Sequence, residues 1–455
     1  MTTASGNAAD LARAVPFIGL LLTIALAPLL APRLWPRHYG KAATFWALAI
    51  LVPDAAGRGW PAVAEELTTV ALHEYLPFIL LLGGLYVVAG GLRLTGTLRG
   101  TPGVNTAMLA LGAAAASFIG TTGAAMVMVR PMIRANRHRR RVAHIFVFFI
   151  LLVANCGGAL TPLGDPPLFL GHLAGVPFFW PMVHLWAPAA LVCGGLLVMF
   201  HGLDSYIYRR GLRDEPPVVS EIEKLGLEGA INLLLLAALI ATVLLRASWR
   251  PVAGIHVGNV AWGAAEIASD ALLLVIAILS LLMTDRRVRR DNGFAWAPMV
   301  EVAILFAAIF ITLIPVTELI AAGPAGPAAP LIQHLFANGA PQDSVFFWAT
   351  GLLSALLDNA PTYLVFLGFA GGDAEHLAGP MASTLAAIST GAVFFGALSY
   401  VGNAPNLMVK TIVEGHGIRM PGFFGYIGWA AVCLVPWLLL VDLIFFAGVL
   451  TRLPG

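Results

Sequence analysis

Long apolar stretches follow one another along the 455-residue chain, separated by short polar loops. Because about 20 helical residues cross ~30 Å of hydrocarbon, stretches of this length predict transmembrane helices. They lie near residues 15–32, 43–56, 75–95, 143–172, 179–203, 228–246, 266–284, 298–321, 381–414 and 423–450. Two others, 105–133 and 345–371, exceed one crossing but fall short of two, and predict re-entrant hairpins. The fold class predicted is an all-α polytopic membrane protein with about ten transmembrane helices.

Composition agrees with this pattern, since 59% of the residues are hydrophobic and only 11% are charged. The net charge of +2 says little about partners, and the sequence shows no nucleic-acid-binding footprint. Cys156, Cys193 and Cys433 stand singly in apolar stretches, and the histidines form no paired metal motif. We therefore expect no cofactor and no enzymatic activity, with the lipid bilayer as the main surrounding.

Arginine-rich loops set the expected orientation, because cytoplasmic loops carry an excess of Lys and Arg. These loops are 33–41, 93–99, 134–141, 209–224 and 285–291. They all fall on one side if each hairpin enters and leaves on the same side, which predicts a multi-pass protein of a bacterial-type inner membrane. The stretch 15–32 resembles a signal peptide in length, but no clear cleavage site follows it, and we interpret it as a first transmembrane helix.

The order of segments indicates an internal repeat. A crossing, a hairpin, an interrupted crossing and another crossing occupy residues 75–203, with hairpin 105–133 and broken helix 143–172, and the series recurs in 298–455, with hairpin 345–371 and broken helix 381–414. The second copy starts on the opposite membrane side, so we predict inverted repeats. Residues 1–74 supply N-terminal helices and 204–297 linking helices. Inverted repeats with Gly/Pro-broken segments are typical of secondary transporters.

Four polar interruptions lie inside these repeats. They read FIGTTGAAM (118–126), NCGGALTPLGDPPLF (155–169), LLDNAPTYL (356–364) and YVGNAPNLM (400–408). Irregular backbone at membrane depth survives only where it is buried in protein or lines a watery cavity. Its freed carbonyls, with amide, hydroxyl and carboxylate oxygens, suit an alkali cation, whereas helix N-termini favour anions.

Asp358 is the strongest single candidate, because a carboxylate near the bilayer centre costs roughly 2.5–3.5 kcal/mol on insertion scales. A proton and a cation would compete for it, which suffices for exchange; the alternative is a helix cap. Asp165 precedes Pro166 at an N-cap position, so a cap and an ion or proton role stay equally open. Asn155, Asn403 and Asn406 are further candidates, although buried Asn also joins helices. Thr121 and Thr122 form an uncharged oxygen cluster.

Other embedded charges leave more than one interpretation open. Asp270 and Asp442 are interpreted as helix-packing groups or secondary proton relays. Arg130 and Lys410 could neutralise a carboxylate or attract an anion.

The motifs as a set resemble those of a known superfamily. A DNxPT-like hairpin (358–362) with GNAPN (402–406), and a Thr-Thr hairpin with NCGG and GDPP (155–167), are similar to the NhaD-type sodium/proton antiporters and related citrate transporter-like proteins of the ion transporter superfamily. The resemblance implies inverted repeats, a homodimer and an elevator mechanism. It also implies a first ion site of Thr121, Thr122 and Asn155, and a second of Asp358, Asn359, Thr362 and Asn403, with Asp358 and Asn403 meeting sodium.

The function expected first is exchange of sodium or lithium for protons, because acidic Asp358 and Asp165 stand at the breaks. Uptake of citrate or a similar organic anion is the alternative, motivated by half-helix dipoles and by Arg130 and Lys410. A channel or a scaffold without transport is a third hypothesis. A membrane enzyme is disfavoured, since the sequence shows no nucleophile–base pair.

Overall fold

The computed structural model describes residues 11–96, 98–214, 226–249, 253–323 and 326–448, most of them in helices. Within this part of the chain, seven helices are long and apolar enough to cross a membrane, and four shorter apolar helices accompany them. The prediction of an all-α polytopic membrane protein is therefore confirmed. Most of the predicted basic loop 209–224 lies outside the described residues.

The helices fall into three groups along the chain. Before the first hairpin come α1 Val15–Leu30, α2 Trp35–Arg58, α3 Trp60–Val70 and α4 Leu76–Gly90. The first hairpin and the helices after it are α5 Pro102–Ile119, α6 Thr121–Ala135, α7 Ala143–Leu152, α8 Pro166–Leu173, α9 Trp180–His184, α10 Trp186–Asp214, α11 Ile231–Ser248, α12 Ala264–Met283 and α13 Arg286–Asp291. The remainder are α14 Ala297–Ala321, α15 Ala329–Leu335, α16 Asp343–Leu356, α17 Asn359–Phe369, α18 Ala374–Ala378, α19 Ala382–Phe395, α20 Ala404–Gly415 and α21 Phe423–Val441.

The described residues include short antiparallel strand pairs that the sequence pattern did not predict; two are local hairpins, and one joins two loops that are far apart along the chain. They pair β1 Arg93–Thr95 with β2 Gly226–Glu228, β3 Gly254–Val257 with β4 Val260–Gly263, and β5 Phe336–Ala337 with β6 Ala340–Pro341. Their shortness explains why alternation of polar and apolar residues gave no signal.

Several helices extend beyond the apolar stretches that predicted them. The helix α2 begins in the predicted basic loop and ends at Arg58, and a π turn at 71–75 joins α3 to α4 in one continuous rod. Polar residues continue the helices because their side chains find partners: Arg58 contacts Asp54 at 2.7 Å and Glu66 at 2.8 Å. Hydropathy alone locates the apolar centre of a helix rather than its ends.

Each predicted hairpin consists of two helices that meet at a tight turn. Helices α5 and α6 join at Gly120, whose φ of +76° is a conformation that favours glycine. Helices α16 and α17 join across Leu357 and Asp358, and the Asp358 side chain caps α17 by accepting from the Ala360 N–H at 3.1 Å.

Each predicted broken crossing contains a 3₁₀ turn followed by a short non-helical segment. The first runs from α7 through Cys156–Leu160 to α8, and the second from α19 through Gly396–Leu398 to α20. In both, glycines make the chain's close approach to itself possible: a Cβ built on Gly164 would lie 2.0 Å from the Gly158 oxygen, and one on Gly402 would lie 2.7 Å from the Gly396 oxygen.

One constant separation relates the two halves. Asp165 and Asn403, which precede α8 and α20 with nearly the same extended backbone, are 238 residues apart. The same separation relates Gly120 to Asp358 at the hairpin turns and Gly164 to Gly402 at the breaks. The hairpin turns and breaks of the two predicted repeats therefore share one spacing along the chain.

Two large apolar clusters make up the interior. One joins both hairpins and both broken crossings to α10 and α21, and its centre is α7, where residues 145–154 are completely buried. The other joins α1, α2, α4, α11, α12 and α14. The chain thus packs as an inner body of hairpins and breaks beside a second body built mostly of uninterrupted helices.

Buried Asp204 ties the ends of several helices in the first half together. Its carboxylate accepts from Asn105 at 3.0 Å, from Arg139 at 3.1 Å and from a ring nitrogen of His144 at 2.8 Å. Asn136 in turn bonds Asn105 in both directions. This network therefore links the start of α5, the end of α6 and the start of α7 to α10.

Candidate functional site

A cavity of about 100 Å³ lies where the hairpins and breaks face the second body. Its polar lining comes from both halves of the chain, and α4 and α14 supply an apolar wall opposite. Apart from Tyr86, the polar lining side chains are Thr121, Thr122, Asp165, Asp358 and Asn403, and the apolar wall includes Phe78, Leu81, Leu85, Met299 and Phe306.

Four helix N-termini converge on this cavity. Helices α6, α8, α17 and α20 begin immediately after Gly120, Asp165, Asp358 and Asn403, all of which belong to the hairpin turns or breaks. Each N-terminus carries a partial positive charge of roughly half an elementary charge. Such a field favours negative charge in the cavity.

Asp165 is the centre of the hydrogen-bond network. It is 1% exposed, and its carboxylate accepts from Thr121 Oγ1 at 3.0 Å, from Asn403 Nδ2 at 2.9 Å and from Asn359 Nδ2. The Thr121 N–H also donates to the neighbouring Gly164 oxygen at 2.8 Å. One carboxylate therefore connects both hairpin turns and both breaks, and it does not cap its own helix α8.

Asp358 has a different environment, because it is half-buried and faces the cavity. One carboxylate oxygen accepts from the Ala360 N–H at 3.1 Å, which is the cap of α17. The capping interpretation is thus correct, and it leaves the rest of the carboxylate facing the cavity. Capping and ion binding are compatible in this geometry.

Asn359 carries an unused acceptor beside Asp165. Its Nδ2 donates to Asp165, while its buried Oδ1 has no hydrogen-bond partner among the described residues. An unsatisfied buried acceptor costs about 1–3 kcal/mol. Asn359 itself is completely buried and lies behind the residues that line the cavity.

Asn155 and Asn406 brace the two breaks against each other. Asn155 Nδ2 donates to Asn406 Oδ1 at 2.7 Å, and Asn403 Nδ2 lies 3.2 Å from Asn155 Oδ1. The Asn406 amide donates to the Gly396 and Ser399 oxygens, both at 2.8 Å. Neither Asn155 nor Asn406 lines the cavity. Their hydrogen bonds hold the two breaks in position.

The predicted set therefore divides into two layers. Thr121, Thr122, Asp165, Asp358 and Asn403 line the cavity. Thr362 does not, and its hydroxyl donates to the Asp358 backbone oxygen at 2.9 Å. The two ion sites that the resemblance implies are joined by Asp165, which bonds Thr121 of the first set and both Asn359 and Asn403 of the second.

The other embedded charges lie away from the cavity lining. Lys410 pairs with Glu414 at 2.8 Å, and Asp270 pairs with Arg246 at 2.7 Å. Asp442 accepts from Trp348 Nε1 at 2.9 Å. Arg130, one guanidinium nitrogen of which has no partner among the described residues, does not line the cavity either.

Two serines that the sequence analysis did not single out hold the breaks in shape. Ser117 Oγ donates to the Gly157 oxygen at 2.6 Å and accepts from the Leu160 N–H at 3.2 Å. Ser399 Oγ accepts from the N–H groups of Val401 and Gly402. The sequence feature that could have identified these serines is a single hydroxyl side chain in an otherwise apolar stretch of small residues.

Comparison with protein families gives a match over nearly the whole chain. The sequence model of the family described as "Putative citrate transport" covers residues 6–446. No curated protein sequence matches the chain.

Proposed function

The chain belongs to the putative citrate transport family, and from that premise we propose that it is a secondary active transporter exchanging sodium or lithium for protons. Asp358, Asp165, Thr121, Thr122 and Asn403 would bind the transported ion in the cavity. Asn359, Asn155, Asn406 and Thr362 would support them from behind.

The observation that carries this proposal is the charge of the cavity. Two carboxylates line it together with hydroxyl and amide oxygens, and no lysine or arginine occurs among its described lining residues. Oxygen donors with carboxylate charge suit a hard monovalent cation. The volume of about 100 Å³ matches a few water molecules at ~30 Å³ each, and hence a partly hydrated ion.

Exchange follows when a proton and a cation exclude each other at the same carboxylates. Asp358 has one bonded oxygen and faces the cavity, so it is the group that accepts a cation or a proton at each turnover. Protonation removes the charge that holds the cation. The apparent KM for sodium should therefore rise as pH falls, by up to about tenfold per pH unit where one proton competes.

The division of the interior into two apolar bodies supports an elevator movement of the hairpins and breaks against the second body. We extend the proposal to a homodimer in a bacterial-type inner membrane. Cross-linking of protein in native membranes at low expression tests the dimer, and a purely monomeric population contradicts it.

Sodium-dependent collapse of an acid-inside pH gradient in everted vesicles tests the exchange directly. We expect a response to sodium or lithium between pH 6 and 9.5 and a much weaker one to potassium. The proposal fails if neither sodium nor lithium gives a response, or if Asp358→Asn keeps full exchange.

Transport of citrate or a related organic anion is the second candidate. The family description favours it, as do the four helix N-termini, which attract anions. Against it, the carboxylates of citrate would meet Asp165 and Asp358. Accumulation of labelled citrate in proteoliposomes, driven by a sodium or proton gradient, would establish this alternative in place of cation exchange.

A further inference from the structure

A second, larger cavity, here called the vestibule, has a volume of about 800 Å³. It lies between α8, the start of α4, and the helices α11 and α12. Polar side chains on three sides make it suitable for water: His73, His172, Thr242, Arg246, Glu266 and Ser269.

The vestibule reaches the protein surface on the side where α8 ends. Gly175, Phe179 and Ser248, all of them exposed, are among its lining residues. In the orientation predicted from the arginine-rich loops, this is the outer side of the membrane.

Helix α8 leads from the vestibule to the ion cavity. Asp165 stands before its first turn, Phe169 follows one turn later, and His172 and Leu173 form its last turn in the vestibule. The Phe169 N–H donates to the Asp165 oxygen, so the two residues lie on consecutive turns.

Phe169 separates the two cavities. Among the described residues it is the one that lines both. Its ring is 6% exposed and packs against Phe78, with ring centroids 6.3 Å apart, and Phe78 stacks on Phe306 at 4.5 Å. Such an apolar constriction excludes water and ions until its rings move apart.

We propose that the vestibule is the aqueous route by which the exchanged cation enters or leaves on the outer side, and that Phe169 is the barrier that closes this route in the present conformation. The assignment of the cargo rests on the proposed function. The water-filled route and its barrier do not depend on it.

Modification of single cysteines by a membrane-impermeant thiol reagent tests the route without any transport assay. Leu173→Cys places a thiol in the vestibule, and Leu170→Cys, on the same helix but in neither lining, is the matched control. In right-side-out vesicles we expect Leu173→Cys to react roughly tenfold faster or more, since thiol reactivity requires exposure. Equal rates, or reaction in everted vesicles alone, would overturn the route.

The barrier is tested with Leu85→Cys, which lies in the ion cavity on α4. Its reaction from the outer side should be slow with Phe169 present, fast with Phe169→Ala, and slow again with Phe169→Leu, which keeps an apolar plug. If Phe169→Ala leaves the rate unchanged, Phe169 is not the barrier.

Two controls complete the test. Phe178→Ala removes a vestibule ring that does not line the ion cavity, and should leave the Leu85→Cys rate unchanged. The chain without introduced cysteines gives the background rate. If labelling follows this pattern while sodium exchange is absent, the route stands and the proposed function fails.

Discussion

The two halves of the chain place their hairpin turns and breaks at matching positions, 238 residues apart, around the cavity, and they carry different side chains there. At the breaks, the first half has Asp165 where the second has Asn403, and at the hairpin turns, the first half has Gly120 where the second has Asp358. Each half thus supplies one carboxylate, but from a different kind of interruption. The backbone repeat sets the positions, and the side chains make the cavity asymmetric.

The two carboxylates differ most in how many hydrogen bonds they have. Asp165 accepts from three side chains of other elements, whereas Asp358 accepts from one backbone N–H of its own helix. This contrast predicts that Asp165 serves both structure and transport, and that Asp358 serves mainly transport.

The largest effect is expected from Asp165→Asn. The amide replaces one carboxylate oxygen with an NH₂ group, so that a donor then faces either Asn359 or the pair Thr121 and Asn403. Since a hydrogen bond to a charged group contributes about 1.5–3 kcal/mol, we expect a stability loss of about 3 kcal/mol or more, together with loss of exchange. Thermal unfolding in detergent and vesicle assays measure both; unchanged thermal stability would contradict the central place of Asp165.

The second largest effect is expected from alanine substitutions at Gly164 and Gly402, the glycines of the two breaks. Alanine at position 164 would bring its Cβ within 2.0 Å of a backbone oxygen, against 2.7 Å at position 402. Overpacking of this kind costs about 1–3 kcal/mol, and Gly164→Ala should be the more harmful of the two. Gly428→Ala, at a site with open space, is the control. The expected order fails if Gly402→Ala lowers the melting temperature more than Gly164→Ala does.

Asp358→Asn should separate function from folding. Asparagine is as good a helix cap as aspartate, so the stability change should stay within about 0.5 kcal/mol. Exchange should nevertheless fall to the background of vesicles without the protein. A variant that is both unstable and inactive would mean that Asp358 resembles Asp165 after all.

The smallest effect is expected from Lys410→Ala. Lys410 pairs with Glu414 one turn away, a contact that typically contributes about 0.3–0.5 kcal/mol. Neither stability nor sodium exchange should change measurably. A strong loss of transport would connect this lysine to the cargo and favour an organic anion.

The fold and the four interruptions were predictable because proline, glycine and polar residues are conspicuous in apolar helices. The candidates at the breaks and turns were found for the same reason. Helix ends such as that of α2 were not predictable, since polar residues continue a helix wherever ion pairs form at its end.

The sequence also could not show that Asp165 is the centre of the hydrogen-bond network. Nothing local distinguishes a capping aspartate from one that accepts hydrogen bonds from Asn359 and Asn403, which are far away along the chain. Likewise, Ser117 and Ser399 act through backbone atoms, and only the folded chain shows which atoms those are.

The buried Asp204 network of the first half differs from its counterpart in the second half. The residue related to Asp204 by the repeat is Asp442, which bonds only Trp348 and has one oxygen without a partner among the described residues. In the first half, one buried carboxylate joins three helix ends. In the second half the polar contacts are separate: Asp442 bonds Trp348, and Asp343 at the start of α16 accepts from Thr384 Oγ1 at 2.6 Å. Moving the first hairpin relative to α10 therefore disrupts several hydrogen bonds to a single buried charge, whereas the polar contacts of the hairpin bearing Asp358 can break independently of one another.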